Sequence, residues 1–384
     1  MNRKQFAVLL LVVVLVGVAG WIVHQRGNNS WQGAGQAIGG KLLPNLPVND
    51  VAQITIQSGT NELTLAMRDN FWRVRERGYY PANFPQISDL LLKFADLKII
   101  QSQEIGPSQL GRFQLLPPGT ATNTGTLIEF KDQSGKSLAS VLLGKTHMNQ
   151  PAGGSQFDGG EPDGRYVMTG GDAKTVAVIS DPLDNVQPGP KDWLDKTFFK
   201  IEKPRSIAVS YAVATNSWKL TRASETNDWQ LADAAPGEKL DTSKLDDVTS
   251  PFSSQSFDDV SPGATAFKNA TTVNVETFDG FAYNAAIGPE LDGEYPVTFS
   301  VSADLPVART PAKNEAADEK AKLDTDFKNK QKTLQDKLAK EKQFENWTFQ
   351  ISEYTVNSLL KPRSQLLIVT KASGTNAPVS TETN

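Results

Sequence analysis

The chain has 384 residues, no cysteine, two histidines and 39 basic against 43 acidic side chains, a net charge of −4. Without a thiol it cannot build zinc fingers, iron–sulfur clusters, disulfides or a cysteine nucleophile, and with only His24 and His147 it cannot make a three-histidine metal site. The near-balanced charge argues against a nucleic-acid binder, and the length predicts two or three domains.

The first predicted element is a membrane anchor. After Arg3 and Lys4 an uncharged run extends from Phe6 to Val23 and includes Leu10, Val14, Val18 and Trp21. As a helix it would be about 27 Å long, close to the hydrocarbon thickness of a bilayer. The flanking charge predicts a single-pass protein of the bacterial inner membrane, with residues 1–26 as cytoplasmic tip and anchor and the bulk in the periplasm or outside. A cleaved signal peptide is the competing reading; Trp21, Ile22 and Val23 continue past the small residues Ala19 and Gly20 and favour retention. Residues 27–48, rich in glycine, read as a tether.

Next comes an internal repeat, which predicts an α+β fold of two β-rich units, residues 49–200 and 201–371. From Val51, VAQITIQ, ELTLAMRD and FWRVRERG alternate apolar and polar side chains between turn residues, as a three-stranded meander does. ISDLLLKFADL has apolar residues at helical spacing. TLIEFKD and SLASVLLG then form a hairpin, followed by an insertion and the strands RYVMTGG and TVAVISDP. The order recurs from Arg205 as SIAVSY, SWKLTRAS and DWQLADA, with Trp229 answering Trp72, a polar helix near Ser243 to Phe252, TTVNVETFDG and FAYNAAIG, and finally WTFQISEYTVNSLL and SQLLIVTK. Trp72, Trp218 and Trp229 belong to the repeated pattern and are read as core. The segment PKDWLDKTFFKIEKP joins the units and is too apolar for a loose linker.

The second unit carries an insertion, residues 312–345, with no glycine or proline and abundant Lys, Asp, Glu, Ala and Gln, which predicts a long helix or helical hairpin. Ala316, Leu323, Phe327, Leu334 and Leu338 form a narrow apolar stripe, and Asp318/Lys322, Asp324/Lys328, Asp326/Lys330 and Asp336/Lys340 are acid-first pairs four apart. Such a helix either lies on its own domain or docks a partner or a second copy, so these five stripe residues are the candidate docking positions. Residues 372–384, small and polar, read as a disordered tail.

Motifs for chemistry are weak. LLGKTH ends like a phosphate-binding loop, but Ala139 stands where that loop needs its first glycine, and SVLL before it reads as strand. Asp158, Glu161 and Asp163 in FDGGEPDG are hard oxygen ligands that could hold calcium, although their spacing is not that of an EF-hand. His147 has no acid or nucleophile pattern around it. No cofactor is expected, and the chain is read as non-catalytic, with a glycan- or ligand-binding module as the alternative and a hydrolase as the weaker third.

KLLPNLPVNDVAQITI, FWRV, YYPANFPQISDLLLKFADLK, QLGRFQLLPPG, GRYVMTGG and DWLDKTFFKIEKPRSIAVSY, behind the basic start and apolar run, resemble the bacterial domain-of-unknown-function family encoded beside gliding-motility-type ABC transporter subunits. The resemblance implies a membrane-anchored accessory or scaffold subunit of the envelope, with an ABC permease and ATPase as partners and no catalytic residues to carry over. The charged helical insertion departs from the commonest pattern of that family, and it offers a route to self-association.

Overall fold

A computed structural model describes residues 38–149, 161–170, 174–250, 252, 256–311 and 315–368. The chain divides between Asp195 and Lys196 into two compact units, each built on one large antiparallel sheet.

In the first unit, β1 (Gln53–Ser58), β2 (Asn61–Arg68) and β3 (Phe71–Val74) form the meander, and β4 (Tyr80–Pro81) extends its edge. The turn between β2 and β3 is made by Asp69 and Asn70, both at positive φ, as a tight two-residue hairpin requires. Helix α1 spans Phe84–Asp96. It starts earlier than the apolar spacing suggests, because the Asn83 side chain accepts from the Gln86 amide at 3.1 Å and Pro85 sits in the first turn, where no N–H is needed. Its buried face, Ile87, Leu90, Leu91 and Phe94, packs on the sheet through an edge-on contact of Phe94 with Phe130 at 5.1 Å. β5 (Ile99–Glu104), β6 (Thr126–Lys131), β7 (Ser137–Asn149), β8 (Glu161–Thr169) and β9 (Thr175–Ile179) complete the order β4-β3-β2-β1-β6-β7-β8-β9-β5. Trp193 is fully buried in this unit, its indole N–H donating to the Gln187 carbonyl at 3.1 Å.

The second unit contains β10 (Pro204–Ser210), β11 (Trp218–Thr221), β12 (Gln230–Leu231), β13 (Asp259–Pro262), β14 (Thr271–Thr277), β15 (Phe281–Ile287), β16 (Glu294–Ala303) and β17 (Trp347–Ser352), in the order β12-β11-β10-β14-β15-β16-β17-β13. With β4 set aside, this is the first order strand for strand. Helix α2 (Ala317–Glu341) connects β16 to β17, and the one-turn α3 (Glu353–Val356) follows β17. The core is aromatic: Phe257, Phe299, Phe344 and Phe349 each lie within ring contact of Phe198, with Phe349 fully buried and 4.8 Å from it.

Several expectations are corrected here. The described chain is two large antiparallel sheets with short helices, not an α+β chain built on a transmembrane helix. Among the described residues no helix is long and apolar enough to cross a membrane; α2 is the longest, at 25 residues, and is far too charged. The expected span, with Phe6, Leu10, Val14, Val18, Trp21 and Val23, lies outside the described residues, as do residues 372–384. The anchored inner-membrane placement, and the role as a membrane-anchored envelope subunit that depended on it, are therefore given up.

The hairpins also merge. β1 pairs with β6 as well as β2, so the meander and the later strand pairs are one sheet. In the second unit the final pair is β16 with β17, so the long insertion falls between the members of that pair and not before it. Among its described residues, 364–368, the segment SQLLIVTK forms part of the 3-10 turn Arg363–Leu366 and a bridge from Leu240 to Leu367. In place of the expected helix near Ser243, Asp241 caps the 3-10 turn Thr242–Lys244. Trp72 and Trp218 are buried, but Trp229 lies just outside β12, half-exposed, with the Arg222 guanidinium 4.7 Å from its ring. β12 is only two residues long and leaves it little sheet to pack on.

In both units the matching glycine is closely enclosed, by backbone in the first and by side chains in the second. A Cβ at Gly144 would lie 2.3 Å from the Phe113 carbonyl oxygen, and one at Gly288 would lie 2.9 Å from the Phe267 ring. Gly144→Ala is expected to cost about 1–3 kcal/mol through displacement of the crossing backbone. Phe349→Ala, which empties the aromatic core, should cost about 3–5 kcal/mol. Denaturant unfolding followed by tryptophan fluorescence measures both.

Candidate functional site

The insertion forms a single helix, as a segment free of glycine and proline can. Its acids gather toward the N-terminus and its lysines toward the C-terminus, which suits the helix dipole. Of the stripe residues, Leu323, Phe327, Leu334 and Leu338 are half-buried, and Ala316, the residue before the helix, is exposed. Phe327 and Leu334 face Phe278, Leu305 and Pro306 across a cleft of about 280 Å³.

Polar contacts fasten this helix to its own unit along its length. Near its start Arg309 Nη2 donates to Glu315 at 2.7 Å and Nε to Asp324 at 2.9 Å, and these bonds raise the guanidinium's already high pKa. Midway, Lys330 pairs with Asp279 at 3.0 Å and Gln331 donates to the Pro306 carbonyl at 3.1 Å. Burial opposes ionisation of Asp279, but hydrogen bonds and charge from Lys330 and Lys203 outweigh it and hold the carboxyl below its ordinary range.

The C-terminal fastening is the most buried. Glu341 is 7% exposed; it accepts from the Tyr283 hydroxyl at 2.8 Å and pairs with Lys337 at 2.9 Å. Lys337 also donates to the Lys200 carbonyl at 2.9 Å and lies 5.5 Å from the Phe281 ring centre. A carboxylate in the last turn of a helix works against the dipole, so Glu341 keeps its place through these partners. One turn later Glu345 accepts the Val301 amide at 2.9 Å, beside the end of the sheet. Apolar spacing along the helix singles out the stripe and does not reach Tyr283, Asp279, Arg309 and Glu341. An acid at the basic end of the helix was the available signal for the last of these.

The other candidate residues fall elsewhere. Asp158 lies outside the described residues, Glu161 is exposed at the start of β8, and the Asp163 carboxylate is 2.5 Å from Nδ1 of His147 across the β7–β8 pair. Among the described residues no group of three or more His, Asp or Glu side chains is placed to hold a metal ion. His147 stands edge-on to Tyr166 at 5.4 Å, and Lys145 is 5.5 Å from the rings of both Tyr166 and Phe113. The Gly144–Lys145–Thr146 run lies within β7, at an irregularity in its pairing with β8 and just beyond its ladder with β6, and is strand backbone that does not wrap as a phosphate loop does.

Burial, reinforced by the nearby Glu341 charge, pushes the Tyr283 hydroxyl above the ordinary tyrosine range; burial does the same at Tyr80, and lifts Tyr211 to about 12. An unfolded chain releases these protons near pH 10, whereas the folded chain holds them longer. The folded state therefore binds more protons above pH 10, and its stability should fall as pH rises from there toward the raised values. Absorbance at 295 nm should show these tyrosinates forming late, together with unfolding. Tyr283→Phe should cost about 1–2 kcal/mol at neutral pH and remove part of the alkaline loss.

A family model described as a domain of unknown function (DUF4340) matches residues 72–274, from β3 of the first sheet into β14 of the second. No curated protein and no solved structure matches the chain. The matched span is more than half of the sequence, and the chain belongs to the DUF4340 family.

Proposed function

We propose that the chain is a non-catalytic docking module that binds other proteins through the outward face of α2. The observation that carries this reading is a 25-residue helix held to its own sheet along one side, with Lys328, Lys332 and Lys340 exposed at four- and eight-residue spacing on the other. Its fastenings hold it in one place, so a partner meets an ordered charged surface and pays little ordering entropy. The apolar stripe is partly covered by Phe278, Leu305 and Pro306, which favours recognition by the charged face over coiled-coil pairing along the stripe. The sequence resemblance to a family encoded beside gliding-motility-type ABC transporter subunits names the ATPase and permease of such a transporter as the first partners to test.

The test is affinity purification of the tagged full chain from cross-linked cells, beside a Lys328→Glu/Lys332→Glu/Lys340→Glu variant. We expect transporter subunits to be recovered with the parent chain and reduced at least about tenfold with the variant, the scale of losing two or three charge contacts at an interface. Circular dichroism should show the variant folded, since these side chains are exposed. Recovery of the parent chain without partners, or equal recovery by both, would overturn the reading.

A further inference from the structure

Independently of the docking helix, the first unit carries a polar cleft of about 380 Å³ on the β1–β3 side of its sheet, lined by Gln53, Thr64, Arg68, Arg75, Tyr79 and Asp132 among others. Strand alternation puts Thr64, Ala66 and Arg68 on one face of β2, and the small Ala66 between the other two leaves room above it.

Three features there stand out. Arg68 lies over the Tyr79 ring, 3.3 Å from its centre, and no carboxylate among the described residues pairs with it. Tyr79 itself is at φ 63°, directly after Gly78 at φ 60°, a left-handed backbone that is unfavourable for a bulky side chain. It is held there by its amide bond to the Val74 carbonyl at 2.9 Å and by Arg73, which donates to its carbonyl at 3.1 Å. Thr64 is 2% exposed, and its hydroxyl has no hydrogen-bond partner.

The surrounding charges select the ligand. Arg75 is already neutralised by Glu62 at 2.7 Å and Glu76 at 3.0 Å. One oxygen of Asp132 is occupied by its own turn, accepting from the Ser134 hydroxyl at 2.6 Å and the Lys136 amide at 3.0 Å. Arg68, exposed at the end of β2 and without a carboxylate partner among the described residues, is planar and oriented by the ring beneath it. A stacked guanidinium matches a planar monoanion through paired N–H donors, whereas a phosphate dianion would bring more charge than one arginine offsets. We propose that this cleft binds a carboxylate group, with Arg68 as its fork, Tyr79 as the platform that orients the fork, and the Thr64 hydroxyl as a further donor. The carboxylate belongs either to a free small acid or to an acidic side chain of a bound peptide.

Calorimetric titration of the full chain separates these sources, using sodium acetate, the capped single-carboxylate peptide acetyl-Gly-Glu-Gly-amide and sodium phosphate, each at an ionic strength fixed with sodium chloride. Saturable binding of at least one carboxylate probe is expected; acetate binding indicates a free acid and peptide binding an acidic segment. Arg68→Gln should weaken the binding at least about tenfold, the scale of losing charge-assisted hydrogen bonds. Arg68→Lys keeps the charge, loses the fork and should recover only part of it. Tyr79→Gly relieves the left-handed backbone and so preserves the fold, and should weaken binding severalfold by removing the platform. No saturable binding of either carboxylate probe, unchanged binding in Arg68→Gln, or tighter binding of phosphate than of both carboxylates would overturn the proposal.

Discussion

The rest of the structure depends on two strands hydrogen-bonded along both edges. β1 lies between β2 and β6, and β10 lies between β11 and β14, all antiparallel. Because every backbone donor and acceptor in the interior of a sheet must be paired, a strand bonded on both sides converts separate hairpins into one continuous surface. Ile54 and Ile56 on β1, and Ile207 and Val209 on β10, are then driven to one face and buried completely. A single-residue slip in either strand would turn these side chains to the opposite face, so the apolar alternation and the pairing specify each other.

The same sheet order supports different additions in the two units. The first has an extra edge strand, β4, and the helix α1, whose Phe94 reaches the sheet beside Phe130. Among its described residues the second has no counterpart to α1; it fills its core with phenylalanine rings and places α2 in the connection between β16 and β17. The insertion needs no disturbance of the ladder, since β16 and β17 still pair directly over residues 294–298 and 348–352. Long connections of this kind cost little in chain entropy once the strands they join are adjacent.

Much of the fold was legible in the sequence. Period-two alternation located β1, β2, β3, β6, β14 and β15, and helical spacing located α1 and α2, because each of these elements buries one face and exposes the other. Legibility failed where the pattern was local and the decision was not. SQLLIVTK is as apolar as a strand, yet the edge beside β17 is taken by β13, and the described part of the segment, residues 364–368, bridges to Leu240 instead. The expected helix near Ser243 gave way to the 3-10 turn Thr242–Lys244 and further single turns that bury Leu245, Val248 and Phe252. The site was less legible still. Apolar spacing singled out Phe327 and Leu334, but Tyr283 meets Glu341 across 58 residues and Asp279 meets Lys330 from a distant strand, and no local window contains them.

The sequence by itself determined the absence of thiol chemistry, the alternating strands and a long charged helix, since these follow from residue type and short-range periodicity. It also pointed to membership of a domain-of-unknown-function family. Only the tertiary structure decided that the strands form one sheet per unit, that α2 is pinned by a buried carboxylate, and that Arg68 is stacked without a carboxylate partner. Each of these depends on which distant backbone edge or side chain satisfies a polar group, and that pairing is chosen when the chain folds, by burial and geometry together.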